Sequence, residues 1–205
     1  MTNVEKIYQD VDNFEDYAIG YLAHLADLLQ RVNLKKLAQF QAAILTLREN
    51  GGKMILCGNG GSASTASHMV NDFSVGTRST QKPFKALSLT DNNAVITAIG
   101  NDFGYDRIFD KQLESSLEAN DMLVVISASG NSENLVRAVA HAKDKGNMTA
   151  GLLGFDGGKL AEMVDVDIVV RSENVDYGPV EDAHLIINHL LMNYFMRLAR
   201  DEAVD

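Results

Sequence analysis

The sequence predicts an α/β fold, a three-layer αβα sandwich on a five-stranded parallel sheet, with two extra helices at the N-terminus. Three observations carry this prediction. Short apolar runs recur between residues 53 and 171, each followed by a helical pattern. Strands that are apolar throughout belong to parallel sheets covered on both faces. Two of these runs end in loops of glycine and serine, placed where such sheets hold ligands, beyond the carboxyl ends of the strands. The chain has 205 residues, 46% of them apolar and 22% charged, the size and mix of one globular domain.

The first expected element is a helix from about Asn13 to Arg31, where Phe14, Tyr17, Tyr21, Leu25 and Leu28 recur at helical spacing. The second runs from Leu34 to Arg48 on Leu37, Phe40, Ile44 and Leu47. The first stripe is wide and precedes the α/β region, so it fits a subunit interface as well as a core. After Gly51-Gly52 the period changes: Lys53–Cys57 reads as a strand and Ser62–Phe73 as a helix. Ala86–Thr90 is the second strand, followed by helices over Asn92–Asn101 and Arg107–Leu117. Met122–Ser127 is the third, followed by a glycine turn and a helix over Ser132–Lys145. Met148–Leu153 and Val166–Arg171 complete the sheet, and a long helix over Val180–Arg200 closes the chain. Residues 1–205 are therefore expected to form one domain, with helices in 1–50 and the α/β core in 51–205.

Charge and composition exclude several classes. With 28 Asp and Glu against 18 Lys and Arg, the net charge is -10, which argues against nucleic-acid binding by phosphate neutralisation. An anionic metabolite would need a local pocket of donors instead. One cysteine, Cys57, rules out a disulfide framework and a Cys-based zinc site within one chain. No N-terminal segment has the pattern of a secretory signal, and the apolar stretches fall short of the roughly 20 residues that span a bilayer. A cytoplasmic chain without membrane partners is the expectation.

The first loop, Gly58-Asn59-Gly60-Gly61-Ser62, joins a strand to a helix. Its glycines let backbone N–H groups approach an anion, and the helix N-terminus behind them adds partial positive charge. A plain βα turn with a serine cap is the alternative. The loop also fits a variant dinucleotide fingerprint, but the second strand ends at Asp91, too far along for the ribose-binding acid. No Gly-Lys-Ser/Thr closes it, so the Walker pattern fails. The second loop, Ser127-Ala128-Ser129-Gly130-Asn131-Ser132, offers three hydroxyls and another helix N-terminus. Serine is common at strand ends and caps. Two such loops in one sheet nevertheless suit a phosphate held without lysine, as in a phosphorylated sugar.

His68 and Asp72 share one face of the helix after the first loop, at i and i+4. The last helix carries Glu181, His184 and His189. Glu181 and His189 are separated by about 80° around the helix, His184 and His189 by about 140°. A single histidine reads first as a capping or core residue, His68, close behind the glycine loop, being the exception. Histidines and carboxylates converging from two helices would serve as acid and base or bind zinc.

These motifs resemble the sugar-isomerase (SIS) domain family, whose fold is flavodoxin-like. Gly58-Asn59-Gly60-Gly61-Ser62 with His68 is similar to its first motif, and Ser127-x-Ser129-Gly130-Asn131-Ser132 to its second. Thr90-Asp91-Asn92, Ala98-Ile99-x-Asn101-Asp102 and Phe155-Asp156-Gly157-Gly158-Lys159 also match, within the phosphoheptose isomerase branch. The resemblance covers nearly the whole chain. It implies an aldose–ketose isomerase, acting on sedoheptulose 7-phosphate to give D-glycero-D-manno-heptose 7-phosphate through an enediolate. It also implies a homotetramer with sites at subunit interfaces, in which the N-terminal helices serve oligomerisation, and one zinc per subunit. By resemblance, Ser62, Ser127, Ser129 and Ser132 hold the phosphate with the Gly60-Gly61 backbone, and Asn59 and Asp91 lie near the sugar. His68, Asp72, Glu181 and His189 are the implied metal ligands. Asp72 and His189 are the expected proton handlers, with Glu181 in reserve.

The departures fall at the sugar end. Asp72 stands where the family has a glutamate, and Glu181 where it has a glutamine. The family's arginine falls on Gly76, with Arg78 nearest. Its aspartate before the last helix falls on Gly178-Pro179. Two other readings therefore stay open: a related long-chain ketose phosphate as substrate, or a non-catalytic SIS regulator that binds the replication initiator protein.

Overall fold

The computed structural model describes residues 1–173 and 175–203. Five strands form one parallel sheet: β1 (Lys53–Gly58), β2 (Lys85–Ser88), β3 (Met122–Ser127), β4 (Met148–Gly154) and β5 (Val166–Val170). Their spatial order is β2-β1-β3-β4-β5, so the order reverses between β1 and β3. The register pairs Met54 with Ala86 on one side and with Met122 on the other. Consequently the loops that follow β1 and β3 leave the same edge of the sheet side by side, at the switch point.

Strand residues alternate between two cores. Met54, Leu56, Met122, Val124 and Ile126 face one side, where they meet Phe40 and Ile44 of α3 (Leu34–Glu49) and Ile187 of α9 (Tyr177–Glu202). Ile55, Cys57, Leu123 and Val125 face the other. There they meet Leu113 of α6 (Asp110–Ser116), Leu135 of α7 (Glu133–Asp144) and Leu160 of α8 (Gly158–Met163). Both faces of the sheet are thus dry, which is why its strands read as unbroken apolar runs. Helices α2 (Phe14–Gln30), α4 (Gly61–Asn71) and α5 (Asn93–Phe103) complete the layers. Asparagine caps three of the helices: Asn13, Asn33 and Asn92 each accept a first-turn N–H on α2, α3 and α5.

Four features differ from the expectations. A further helix, α1 (Asn3–Gln9), precedes the two expected ones, held by a capping box between Thr2 and Glu5. β2 ends at Ser88, two residues early, because the Ser88 and Thr90 hydroxyls bond each other at 2.6 Å and turn the chain out of the sheet. The one-and-a-half-turn α8 buries only Leu160, too weak a pattern to recognise. The last helix starts at Tyr177, so Gly178-Pro179 lie inside its first turn, where proline is tolerated. An aspartate does stand before that helix: Asp176 is buried, accepts the Asn3 N–H at 3.1 Å and faces His24. It therefore ties α1 and α2 to the start of α9. Tyr21 adds a second tie, donating to Asp182 at 2.6 Å.

Candidate active site

Between α4 and the next segment the chain widens into a π-helical turn, Asp72–Gly76. Such turns occur often at functional sites because they redirect a side chain without ending the helix. Asp72 is the first residue of this turn and is buried. Its Oδ2 lies 3.3 Å from His68 Nε2 and 3.7 Å from His189 Nε2. The two imidazole nitrogens are 3.0 Å apart. Three ligand atoms from helices 121 residues apart in sequence thus face one point. Two imidazole lone pairs cannot face each other at that distance without a proton or a cation between them.

The donor set fits a zinc ion. Bonds of about 2.0–2.1 Å to a tetrahedral zinc place neighbouring ligand atoms about 3.3–3.4 Å apart. The three separations here scatter about that value. Both histidine side chains remain nearly half exposed, at 43% and 45%, so a fourth position is open to an incoming molecule. Three protein ligands with one open position is the pattern of catalytic zinc.

Glu181 does not join this trio among the described residues. Its carboxylate lies against Gly61, the first residue of α4, so closely that a Cβ there would overlap it. Burial, and secondarily the charge of Asp182, push the Glu181 carboxyl above its ordinary range. The acid therefore stands at the glycine loop, while Asp72, His68 and His189 stand beyond it along α4. His184 lies elsewhere. It is fully buried, its Nε2 bonds the Leu153 carbonyl at 3.0 Å, and burial pulls its pKa down to about 4.

The two serine loops are locked together by amides. Asn59 and Asn134 exchange paired hydrogen bonds of 3.0 and 2.9 Å, joining the β1 loop to the first turn of α7. The Tyr105 hydroxyl adds a bond of 2.9 Å to Asn59 Oδ1. In the second loop, Ser127 Oγ accepts the Gly130 N–H at 3.0 Å and Ser129 Oγ accepts the Asn131 N–H at 3.3 Å. Gly130 has φ of 63°, and a side chain there would strike the Gly157 carbonyl. The loop after β4 therefore buttresses the second serine loop, with the Lys159 N–H donating to Asn131 Oδ1 at 3.1 Å.

Ser132 is the N-cap residue of α7, yet its hydroxyl makes no capping bond, and Gly60 caps α4 without a side chain. First-turn N–H groups have no partner within their own helix, so both helix starts present donors. Ser62 is buried under the first loop. Asp91 is held apart from the trio, its Oδ1 accepting from Ser67 of α4 and from Thr90.

Sequence reasoning missed Asn134, Tyr105 and Asn188. The Asn188 amide donates to Asp72 Oδ2 at 2.6 Å from a fully buried position. A signal existed, since Asn188 is a polar residue on the apolar stripe of Ala183, Ile187 and Leu191.

A family model described as the SIS domain matches residues 20–154. The phosphoheptose isomerase of Aliarcobacter butzleri is 37% identical over 174 residues, which are 83% of this chain and 90% of that protein. The phosphoheptose isomerase of Clostridium acetobutylicum is 41% identical over 155 residues, 76% of this chain and 78% of that one. A solved phosphoheptose isomerase from Neisseria gonorrhoeae superposes with a TM-score of 0.79 at 29% identity, covering 89% of this chain and 98% of its own. One from Francisella tularensis gives 0.74 at 32% identity, covering 96% and 100%. Strand order, paired serine loops and sequence agree, and the chain belongs to the SIS-domain family of phosphosugar isomerases, within its phosphoheptose isomerase branch.

Proposed function

We propose that this isomerase, acting as a single SIS unit, interconverts sedoheptulose 7-phosphate and D-glycero-D-manno-heptose 7-phosphate. One observation carries the reading: Asp72, His68 and His189 converge within 4.8 Å of one another, from α4, which starts at the first serine loop, and from α9. The phosphate would sit on Ser62, Ser127, Ser129 and Ser132 with the N–H groups of Gly60 and Gly61. The sugar would extend past Asn59 and Asp91 toward Asp72.

The reaction moves one proton between adjacent carbons. Asp72, or Glu181 in reserve, takes the proton from the carbon beside the carbonyl, and the electron pair forms the enediolate double bond. His189 moves the proton between the two oxygens, and the acid then returns a proton to the former carbonyl carbon. General acid–base steps of this kind contribute typically 10²–10⁴-fold each. Burial, and secondarily the charge of Asp182, push the Glu181 carboxyl upward, the direction that favours an acid role over a base role.

His68, Asp72 and His189 would hold one zinc, with Glu181 reaching it only by swinging away from Gly61. Zinc there would polarise the two sugar oxygens as a Lewis acid. A tetramer is part of the proposal. Ile186, Leu190 and Tyr194 form an exposed apolar stripe along α9 that flanks His189, and Phe14, Ile19 and Leu22 of α2 are also exposed. Burying these faces between copies would place each site at an interface.

The test is turnover of sedoheptulose 7-phosphate by the purified chain, before and after chelation and zinc return, beside a panel of six- to eight-carbon ketose phosphates. Aldoheptose 7-phosphate formation supports the reading. Turnover of another ketose only would move the substrate, and none with or without zinc would favour the regulator.

A further inference from the structure

We propose that Asn188 is the positioning residue for the Asp72 carboxylate, fixing which of its oxygens faces His68 and His189; this deepens the isomerase reading above and rests on it. A carboxylate on a single methylene can exchange its two oxygens by rotation about its last torsion. Both imidazoles approach the same oxygen, Oδ2, at 3.3 and 3.7 Å. Asn188 donates to that oxygen at 2.6 Å from the opposite helix. The other amide in reach, Asn71, is exposed and holds Oδ1 at only 3.3 Å. The short bond from α9 therefore decides the orientation.

Ionised carboxylates only accept, so the amide nitrogen of Asn188 must be the group that faces Asp72. That assignment leaves Asn188 Oδ1 buried without a hydrogen-bond partner among the described residues. A buried unpaired carbonyl opposes folding. The fold thus tolerates a destabilising group at 0% exposure, and among the described residues the one side-chain hydrogen bond of that amide goes to the central carboxylate of the site. A packing residue would not show this combination. Because an amide exchanges no proton here, Asn188 acts only through Asp72, and partners of this kind typically tune metal affinity or activity by 10–100-fold.

The experiment compares the native full chain with Asn188→Leu, which keeps the branching at Cγ, and with Asn188→Ala, which cannot overpack. Zn²⁺ affinity is read without substrate, by competition with a chromophoric chelator, and kcat and KM are read with sedoheptulose 7-phosphate. The expected result is a loss of about 10- to 100-fold in Zn²⁺ affinity and in kcat, with KM within about 3-fold of native. In an Asp72→Asn background the same substitutions should change Zn²⁺ affinity by less than about 3-fold, because the group they position is gone. Native-like Zn²⁺ affinity and kcat in either folded variant would overturn the proposal, as would an undiminished loss in the Asp72→Asn background. A native chain that neither binds Zn²⁺ nor isomerises would overturn the underlying reading and this one with it. A native chain that does both beside indistinguishable variants would overturn this one alone.

Discussion

Acidification should weaken this protein through one residue, His184. The imidazole is fully buried on α9, bonded at 3.0 Å to the Leu153 carbonyl, and burial pulls its pKa from 6.5 down to about 4, against a smaller upward pull from that carbonyl. The folded state therefore holds a neutral His184 at pH values where the unfolded chain has already taken up a proton. Stability from this group is fully present above about pH 6.5 and is lost as pH falls toward 4. Between pH 7 and pH 5 the linkage amounts to about 2 kcal/mol, since at pH 5 the unfolded imidazole is protonated about 30 to 1 while the folded one stays mostly neutral. Urea unfolding of the native chain and of His184→Gln at both pH values measures it. Glutamine can still donate to the Leu153 carbonyl and does not titrate, so its pH dependence should be smaller by about that amount. Equal pH dependence in the two proteins would refute the assignment. The consequence is functional, because α9 also carries Glu181, Asn188 and His189, and loosening it dismantles the site whatever the pH optimum of the chemistry.

Three further outcomes follow from the site. Asp72→Asn and His189→Ala should each lower kcat by about 10²–10⁴-fold while leaving the assembly folded, which steady-state kinetics and sedimentation check together; near-full activity in both would remove the mechanism. Ser129→Ala should raise KM about 10- to 100-fold with a smaller change in kcat, the effect of losing one donor to a charged group; a pure kcat effect would contradict the phosphate assignment. Gly61→Ala should displace the Glu181 carboxylate, whose oxygens occupy the space of the new Cβ, and lower kcat with little loss of melting temperature, because the flexible carboxylate can swing aside; unchanged kinetics would show that Glu181 takes no part.

Much of this architecture is legible in the sequence because both faces of the sheet are covered, so that runs such as Met122–Ser127 carry no polar alternation to confuse them. The paired serine loops are legible for a related reason: glycines and serines at strand ends are local signals, and the parallel topology alone brings β1 and β3 together. Three kinds of feature escape. The end of β2 depends on a contact between Ser88 and Thr90 that propensity does not register. The π-helical turn at Asp72–Gly76 is announced by no residue type. Asn188 and Asn134 bond partners 116 and 75 positions away, so the sequence marks Asn188 only as a polar residue on an apolar stripe and leaves both partners unseen. The helix α1 was within reach, since Thr2 and Glu5 already spell a capping box.

The most direct test of the account is proton exchange during turnover. Sedoheptulose 7-phosphate is incubated with the zinc-loaded protein in D₂O, and deuterium at the first and second carbons is followed by NMR alongside aldoheptose 7-phosphate. The account predicts product together with deuterium incorporation, both abolished by Asp72→Asn. Conversion without incorporation would point to direct hydride transfer and contradict the enediolate route through Asp72; an inert mixture would contradict the assigned activity itself.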